Sequence, residues 1–255
     1  MRQANGVLAG RTVLITGASG GLGERFARIA ADAGAKIVLC ARRVERLEQI
    51  AADIGSAGGQ ALAVALDVSR EASVKEAFDR AEAAFGTIDT VIANAGIEHS
   101  GSVLDISVEQ FDQVFAVNVR GVFLTAREAA RRMQEAGQAD RGRIVLVSSI
   151  TGQSVAPGIL PYSASKAAVS HMGRLLAREW ARAGPNVNCI SPGYIATDIN
   201  YEWFATELGQ KHIRTFPRRR LLDEDGLDGV VLYLLSDAAK NTTGANFTVD
   251  DGQSL

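Results

Sequence analysis

Residues Thr12–Gly23 read T-V-L-I-T-G-A-S-G-G-L-G, an apolar β-type run that breaks into a glycine-rich turn. The residues beyond it place Phe26, Ile29, Ala30 and Ala33 on one helical face, and Gly34 stops the pattern. Strand, turn and helix in direct succession are the parts of a dinucleotide site. Gly17, Gly21 and Gly23 allow a tight turn, close backbone approach to a pyrophosphate, and close packing of helix on strand. The helix N-terminus then offers free amides and partial positive charge to the phosphates. A glycine triplet alone is weak, since a tight turn with a packing role also explains it. The strand–turn–helix setting favours binding.

The same alternation continues outward from this stretch. Lys36–Cys40 is the next strand, followed by a helix with Leu47, Ile50, Ala51 and Ile54 inside. Ala61–Val68 returns to strand, and Val74, Ala77, Phe78, Ala81 and Phe85 mark a third amphipathic helix ending at Gly86. Strands at Thr90–Ala93 and Arg143–Ser148 flank a long helical region that Ser107 and Gln110 open as a capping box. A helix over Tyr162–Arg182 and strands at Asn186–Ile190 and Ala245–Val249 complete the series. Strands without alternation, separated by helices, mean a parallel sheet buried on both faces. Right-handed crossovers then give a Rossmann-type α/β fold, a doubly wound sheet of about seven parallel strands. No linker, repeat or low-complexity segment divides the chain, so residues 1–255 read as one domain.

Composition narrows the function classes. With 27 basic against 29 acidic residues and a net charge of −2, no global field favours nucleic acid or an anionic membrane. Arg218, Arg219 and Arg220 form the one dense basic run, which reads as a solvated loop. Cys40 and Cys189 sit in apolar runs as core thiols, and His99, His171 and His212 lack metal-ligand spacing, so no metal site is expected. The N-terminus has no apolar core of signal-peptide type, and no apolar run approaches the ~20 residues of a membrane span. A soluble, cytoplasmic protein is the expectation.

The second strand bears on which dinucleotide is bound. An NAD site places an acid near its end to accept from the ribose 2′-hydroxyl. Here Ala41 occupies that position, and Arg42 and Arg43 follow at once. A guanidinium pairs well with a 2′-phosphate, which favours NADP(H) over NAD(H); alternatively, the arginines simply open a solvated helix. Asp67, at the end of the third strand, either accepts from the adenine amino group or caps the next turn.

Tyr162 and Lys166 lie four residues apart in Y-S-A-S-K, on one helical face. A free tyrosine titrates near 10, and a neighbouring ammonium favours the phenolate and brings the group toward the working range. Ser149 ends a strand, Asn94-Ala95-Gly96 ends another, and Asn118 interrupts a helix. Strand carboxyl ends are where ligands bind in open parallel sheets, so these polar groups suggest one crevice.

Taken together, these marks resemble the short-chain dehydrogenase/reductase family over nearly the full chain. They are T-G-x-x-x-G-x-G at Thr16–Gly23, Asp67–Val68, N-A-G at Asn94–Gly96, Asn118, Ser149, Y-x-x-x-K at Tyr162–Lys166, and Pro192–Gly193. The resemblance implies that Tyr162 donates the proton to a carbonyl oxygen, that Ser149 orients that oxygen, and that Lys166 binds the nicotinamide ribose and depresses the tyrosine pKa. Asn118 would hold a water that relays protons to Lys166. The cofactor would lie against Gly17, Ser19, Gly21, Leu22, Gly23, Asp67, Val68, Asn94, Ala95, Gly96, Pro192 and Gly193. Ile195 and Thr197 would contact its nicotinamide end. A homotetramer through helices around Thr125–Glu135 and Tyr162–Arg182 is also implied.

Three positions depart from the family pattern. Gly20 stands where many NADP-preferring relatives carry a basic residue, so the phosphate site rests on Arg42, helped by Arg43 and Ser19. Ala93 replaces a frequent asparagine, and V-D-D-G at Val249–Gly252 replaces V-D-G-G. Segment 194–216 carries Tyr194, Tyr201, Trp203, Phe204 and Phe216, aromatics that either form a substrate lid or pack its helices onto the body. Glu98 and His99 either bond a polar substrate or sit exposed in a loop. The expected reaction is NADP(H)-dependent reduction of a ketone or 3-oxoacyl group, or oxidation of the alcohol. The alternatives are an NAD-dependent polyol, sugar or hydroxysteroid dehydrogenase and a non-catalytic NADP(H) sensor.

Overall fold

The computed structural model describes residues 6–196 and 201–255. Its strands are β1 (Thr12–Thr16), β2 (Lys36–Ala41), β3 (Gln60–Ala65), β4 (Thr90–Ala93), β5 (Arg143–Val147), β6 (Asn186–Pro192) and β7 (Asn246–Val249). They form one sheet in the order β3-β2-β1-β4-β5-β6-β7, with every neighbouring pair parallel. The helices are α1 (Gly21–Asp32), α2 (Val44–Ser56), α3 (Glu71–Phe85), α4 (Val108–Phe115), α5 (Val122–Glu135), α6 (Leu160–Glu179), α7 (Tyr201–Ala205), α8 (Glu207–Ile213) and α9 (Asp228–Leu235).

Both faces of the sheet are buried, and successive strand residues divide between two cores. Leu14, Val38, Cys40, Ile144 and Leu146 point into a cluster with Phe78, Ala126, Met133 and Val169. Val13, Ile15, Ile37, Leu39, Val145 and Val147 point the other way, onto Phe26, Leu47, Ile50 and Val231. The period-two geometry of a strand thus explains runs that are apolar throughout. The order in which strands are added reverses between β1 and β4, and the crevice at their carboxyl ends is where such folds take ligands. No helix among the described residues is long and apolar enough to cross a membrane.

Three local departures from the sequence reading have clear causes. The third strand ends at Ala65 rather than Val68, because Asp67 turns the chain by accepting from the Ser69 N–H and hydroxyl at 3.0 and 2.7 Å. The long helical region after the Ser107–Gln110 capping box is broken by a π-helical segment, Ala116–Gly121, that contains Asn118. The last strand starts one residue late, at Asn246.

Helix α6 lies unusually close to the sheet. A Cβ added at Gly173 would fall on the Cys189 Sγ of β6, and one added at Gly152 would stand 2.7 Å from the Ala167 nitrogen. Ser148 at the end of β5 ties the same helix down, donating to the Lys166 carbonyl at 2.7 Å. The two thiols are buried core groups, and burial pushes Cys189 up to about 12. We predict that Gly173→Ala destabilises the protein by about 1–3 kcal/mol through overpacking. Cys189→Ala should recover most of that loss in the double variant, because the remaining Cys189 Cβ lies 4.0 Å from the new methyl. Urea denaturation of the four combinations measures it; strictly additive losses would exclude this contact as the cause.

Candidate active site

The glycine turn is shaped by what stands opposite it. Gly17 has φ +70°, and a Cβ there would come within 2.8 Å of the Ala95 Cα and 2.9 Å of the Asn94 Nδ2. A Cβ at Gly23 would strike the Gly17 carbonyl oxygen. Asn94 uses this space as a brace. Its side-chain amide donates to the Thr16 and Gly17 carbonyls at 3.0 and 3.3 Å, while the Asn94 and Ala95 N–H groups donate to Thr16 Oγ1 at 3.0 and 3.1 Å. Helix α1 begins at Gly21 with Gly20 as its N-cap and no side-chain cap, so its first amides face the crevice without a protein acceptor from that residue. Bare backbone, a helix N-terminus and the absence of side-chain bulk fit a pyrophosphate. Ser19 is buried within the turn, and Leu22 is half-buried at the start of α1.

Of the two arginines, Arg43 is the one held at this turn. Its Nε and one terminal nitrogen donate to Ser19 Oγ and the Ser19 carbonyl, each at 3.2 Å. Arg42, exposed like its neighbour, instead lends its charge to Asp67. The difference arises because Arg43 is the N-cap residue of α2 and points back across the end of β2. Asp67 takes the turn-capping role and is held below the usual carboxylate range chiefly by the Ser69 hydroxyl. The Val68 side chain is in the core, packed where a Cβ on Gly121 would meet it at 2.7 Å.

The Tyr–Lys pair is placed by the docking of α6. Pro161 suits the first turn of a helix, and Tyr162 follows it, half-buried, with Lys166 one turn on and only 3% exposed. The Lys166 ammonium donates to the Val147 carbonyl at 2.9 Å and lies 5.4 Å from the centre of the Tyr162 ring. Asn118 is fully buried. Its side-chain oxygen accepts from the Ile97 N–H at 2.9 Å, and its amide donates to the Ile97 carbonyl at 2.9 Å and to Ser165 Oγ at 3.0 Å. A Cβ at Gly96 would stand 3.5 Å from both Asn118 Oδ1 and Lys166 Nζ, so these two groups converge on the N-A-G turn. Ser149 caps the short helix Ile150–Gly152, accepting from the Thr151 N–H and hydroxyl.

Burial pushes the Tyr162 phenol up to about 12; the Glu98 carboxylate acts in the same direction, and a hydrogen bond with Ser149 pulls it down. Burial also drives the Lys166 ammonium down to about 8. Desolvation disfavours the charged form of each group, raising the acid and lowering the base. Glu98, a loop residue after the N-A-G turn, lies where its charge reaches both Tyr162 and Tyr194.

At the far end of the crevice, Pro192 closes β6 and Gly193 donates to the Val249 carbonyl at 2.9 Å. Ile195 is buried in the core, and Thr197 lies outside the described residues. Tyr194 stacks on Phe216 with ring centroids 5.5 Å apart and meets Phe204 and His212 edge-on, while Tyr201 and Trp203 remain substantially exposed. The aromatics of this segment thus pack largely on one another. Sequence reasoning assigned no role to the side chains of Thr16, Ser148, Ser165 and Gln253. The first three are short hydroxyls inside quoted motifs or strands, and nothing local to Gln253 signals that its side chain holds Tyr194.

Comparisons with known proteins bear on the family and the fold. Residues 11–208 match the family described as short chain dehydrogenase. The oxidoreductase UcpA of Salmonella typhimurium is 36% identical over 262 residues, covering 98% of this chain and 97% of the relative. Among solved structures, a short-chain type dehydrogenase/reductase from Mycobacterium marinum has a TM-score of 0.90 at 35% identity, covering 97% of each chain. A gluconate 5-dehydrogenase from Burkholderia cenocepacia, in complex with NADP and tartrate, has a TM-score of 0.91 at 32% identity and covers 98% of each.

Replacing Asn118 by alanine leaves the buried Ile97 N–H and carbonyl without their partner. We predict a loss of about 1–3 kcal/mol in unfolding free energy. Denaturant titration measures it, and an unchanged midpoint would show that the loop around Ile97 finds other partners.

Proposed function

Because the chain belongs to the short-chain dehydrogenase/reductase family, a group of oxidoreductases acting on CH–OH or C=O groups, we propose that it reduces a small-molecule ketone or 3-oxoacyl group with NADPH, or runs the reverse oxidation, using Tyr162 as acid or base. The observation that carries this reading is Lys166 beside the N-A-G turn, its ammonium 5.4 Å from the centre of the Tyr162 ring, with Ser149 interacting with the phenol. When bound, the dinucleotide supplies or accepts the hydride. Tyr162 donates its hydroxyl proton to the carbonyl oxygen, and Ser149 hydrogen-bonds the same oxygen and fixes its direction. Lys166 would hold the nicotinamide ribose hydroxyls, Asn118 anchors the Ile97 backbone beside Lys166 and would hold a relay water there, and Ile195 and Thr197 would contact the nicotinamide end.

A phenol raised to about 12 is protonated throughout the neutral range, which suits proton donation and hence reduction. Support for NADP(H) comes from Ala41 in place of an acid and from Arg43 held against Ser19, where a 2′-phosphate would gain charge-assisted bonds. The segment 194–216 serves as a lid on a single domain, and the assembly is a cytoplasmic homotetramer that binds neither nucleic acid nor membrane.

A polyol or sugar dehydrogenase is the second reading, and Glu98 is the observation that favours it. A carboxylate whose charge reaches the phenol accepts hydrogen bonds from substrate hydroxyls and repels polyanionic thioesters. The intact Ser149–Tyr162–Lys166 set weighs against a non-catalytic sensor.

The test is turnover of a panel of ketones, 3-oxoacyl thioesters, sugars, polyols and steroids with NADPH and NADH in parallel. Tyr162→Phe should lose about 10²–10⁴-fold in kcat with NADPH binding retained; full activity in that variant would remove the proposed acid. Oxidation, which needs the phenolate, should accelerate from about pH 7 to about pH 10, whereas reduction should show no such gain. Arg43→Ala should raise the KM for NADPH about 10–100-fold and leave that for NADH nearly unchanged. Equal effects on both cofactors would move the phosphate contact elsewhere.

A further inference from the structure

After β7 the chain makes a tight turn that ties together both ends of the segment assigned as the lid. Asp250 starts the turn, accepting from the Gly252 and Ser254 N–H groups at 2.9 Å each. Asp251, the aspartate that stands in place of the family's glycine, has φ +53°. Left-handed backbone suits glycine and strains a residue with a side chain, although aspartate tolerates it better than most. Such strain persists where surrounding contacts over-determine it.

Those contacts are two arginines. Asp251 Oδ1 lies 2.8 Å from Arg218 Nη1, and Oδ2 accepts from Arg220 Nε at 2.6 Å. The residue between them, Arg219, also has φ +53°. The Asp251 side chain is only 14% exposed, and the guanidiniums hold its carboxyl below the usual carboxylate range, Arg220 first. Two residues of the basic run expected to be a solvated loop are therefore partners in a clamp.

The same turn grips the other end of the segment. Gln253 Oε1 accepts from the Tyr194 N–H at 2.6 Å, and its amide donates to the Tyr194 and Arg220 carbonyls at 3.2 and 3.3 Å. The Leu222 N–H donates to that Tyr194 carbonyl at 2.9 Å. Only a glycine fits beneath, since a Cβ at Gly193 would stand 2.8 Å from the Asp250 Cα. Tyr194 and the 218–222 stretch are thus cross-tied through Asp251 and Gln253 at the C-terminal turn.

We propose that Asp251 is a positioning residue for cofactor binding: by clamping Arg218 and Arg220 it fixes, through Gln253, the Gly193–Tyr194 backbone at the edge of the dinucleotide crevice. This rests on the reading of that crevice as an NADP(H) site. A purely structural tie predicts lost stability with unchanged affinity, whereas a positioning role predicts lost affinity even where stability is kept.

Two variants of the full chain separate these. Asp251→Asn removes the charge and keeps the shape; Asp251→Gly removes the clamp and also relieves the strain. NADPH affinity is read by fluorescence titration, stability by thermal melting, and the clamp itself by the rate of tryptic cleavage after Arg218, Arg219 or Arg220. Both variants should bind NADPH about 3- to 10-fold more weakly, as expected for loss of two partly screened ion pairs. Asp251→Gly should do so with a melting temperature no lower than that of the unaltered protein, and tryptic cleavage in this run should be several-fold faster in both. Wild-type affinity in the two variants, or a lowered melting temperature with unchanged affinity, overturns the proposal. If the unaltered protein binds neither NADPH nor NADH, the NADP(H) assignment fails instead. Cleavage that is unchanged in the variants then overturns the clamp independently.

Discussion

The site depends on how closely two strand ends approach each other. Between the end of β1 and the end of β4 there is no room for a Cβ at Gly17 or Gly23, and Asn94 fills the gap with its amide. That bracing consumes the carbonyls of Thr16 and Gly17 and fixes the entry angle of α1. The helix N-terminus, with its unpaired amides, is aimed into the crevice as a consequence. Parallel strands make such an arrangement possible, because every strand delivers its carboxyl end to the same edge of the sheet.

A second close approach sets the chemistry. Gly152 and Gly173 let α6 settle onto β5 and β6, and Ser148 locks the helix by its Lys166 carbonyl. The docking buries Lys166 and much of Tyr162, and desolvation moves the phenol up and the ammonium down. Two groups that titrate close together in water are thereby pushed apart, a common route to acid–base pairs. The π-helical segment at Asn118 serves the same region. Its distortion turns a polar side chain inward, where three hydrogen bonds hold Ile97 and Ser165.

Segment 194–216 is organised differently from the rest. Its described aromatic residues pack largely on each other around Tyr194, Ile195 enters the core beneath the sheet, and Gln253 of the C-terminal turn holds the Tyr194 backbone.

The strand–turn–helix stretch at Thr12–Gly23, the alternation of apolar runs with amphipathic helices, and the capping box at Ser107 were legible because each is a local pattern. Their physics is contained within a few turns or strand residues, and together they determined the parallel α/β fold and the glycine turn. The quoted motifs also marked which residues would crowd one crevice. Tertiary structure decided what each of them does there. Arg43 rather than Arg42 reaches Ser19, Asp67 spends its oxygen on Ser69, and burial outweighs the ammonium at Tyr162. The bonds from Asp251 and Gln253 to residues more than thirty positions away were invisible for the same reason. Hydrogen-bond partners and desolvation belong to chain segments brought together only by folding, and no local spacing encodes them.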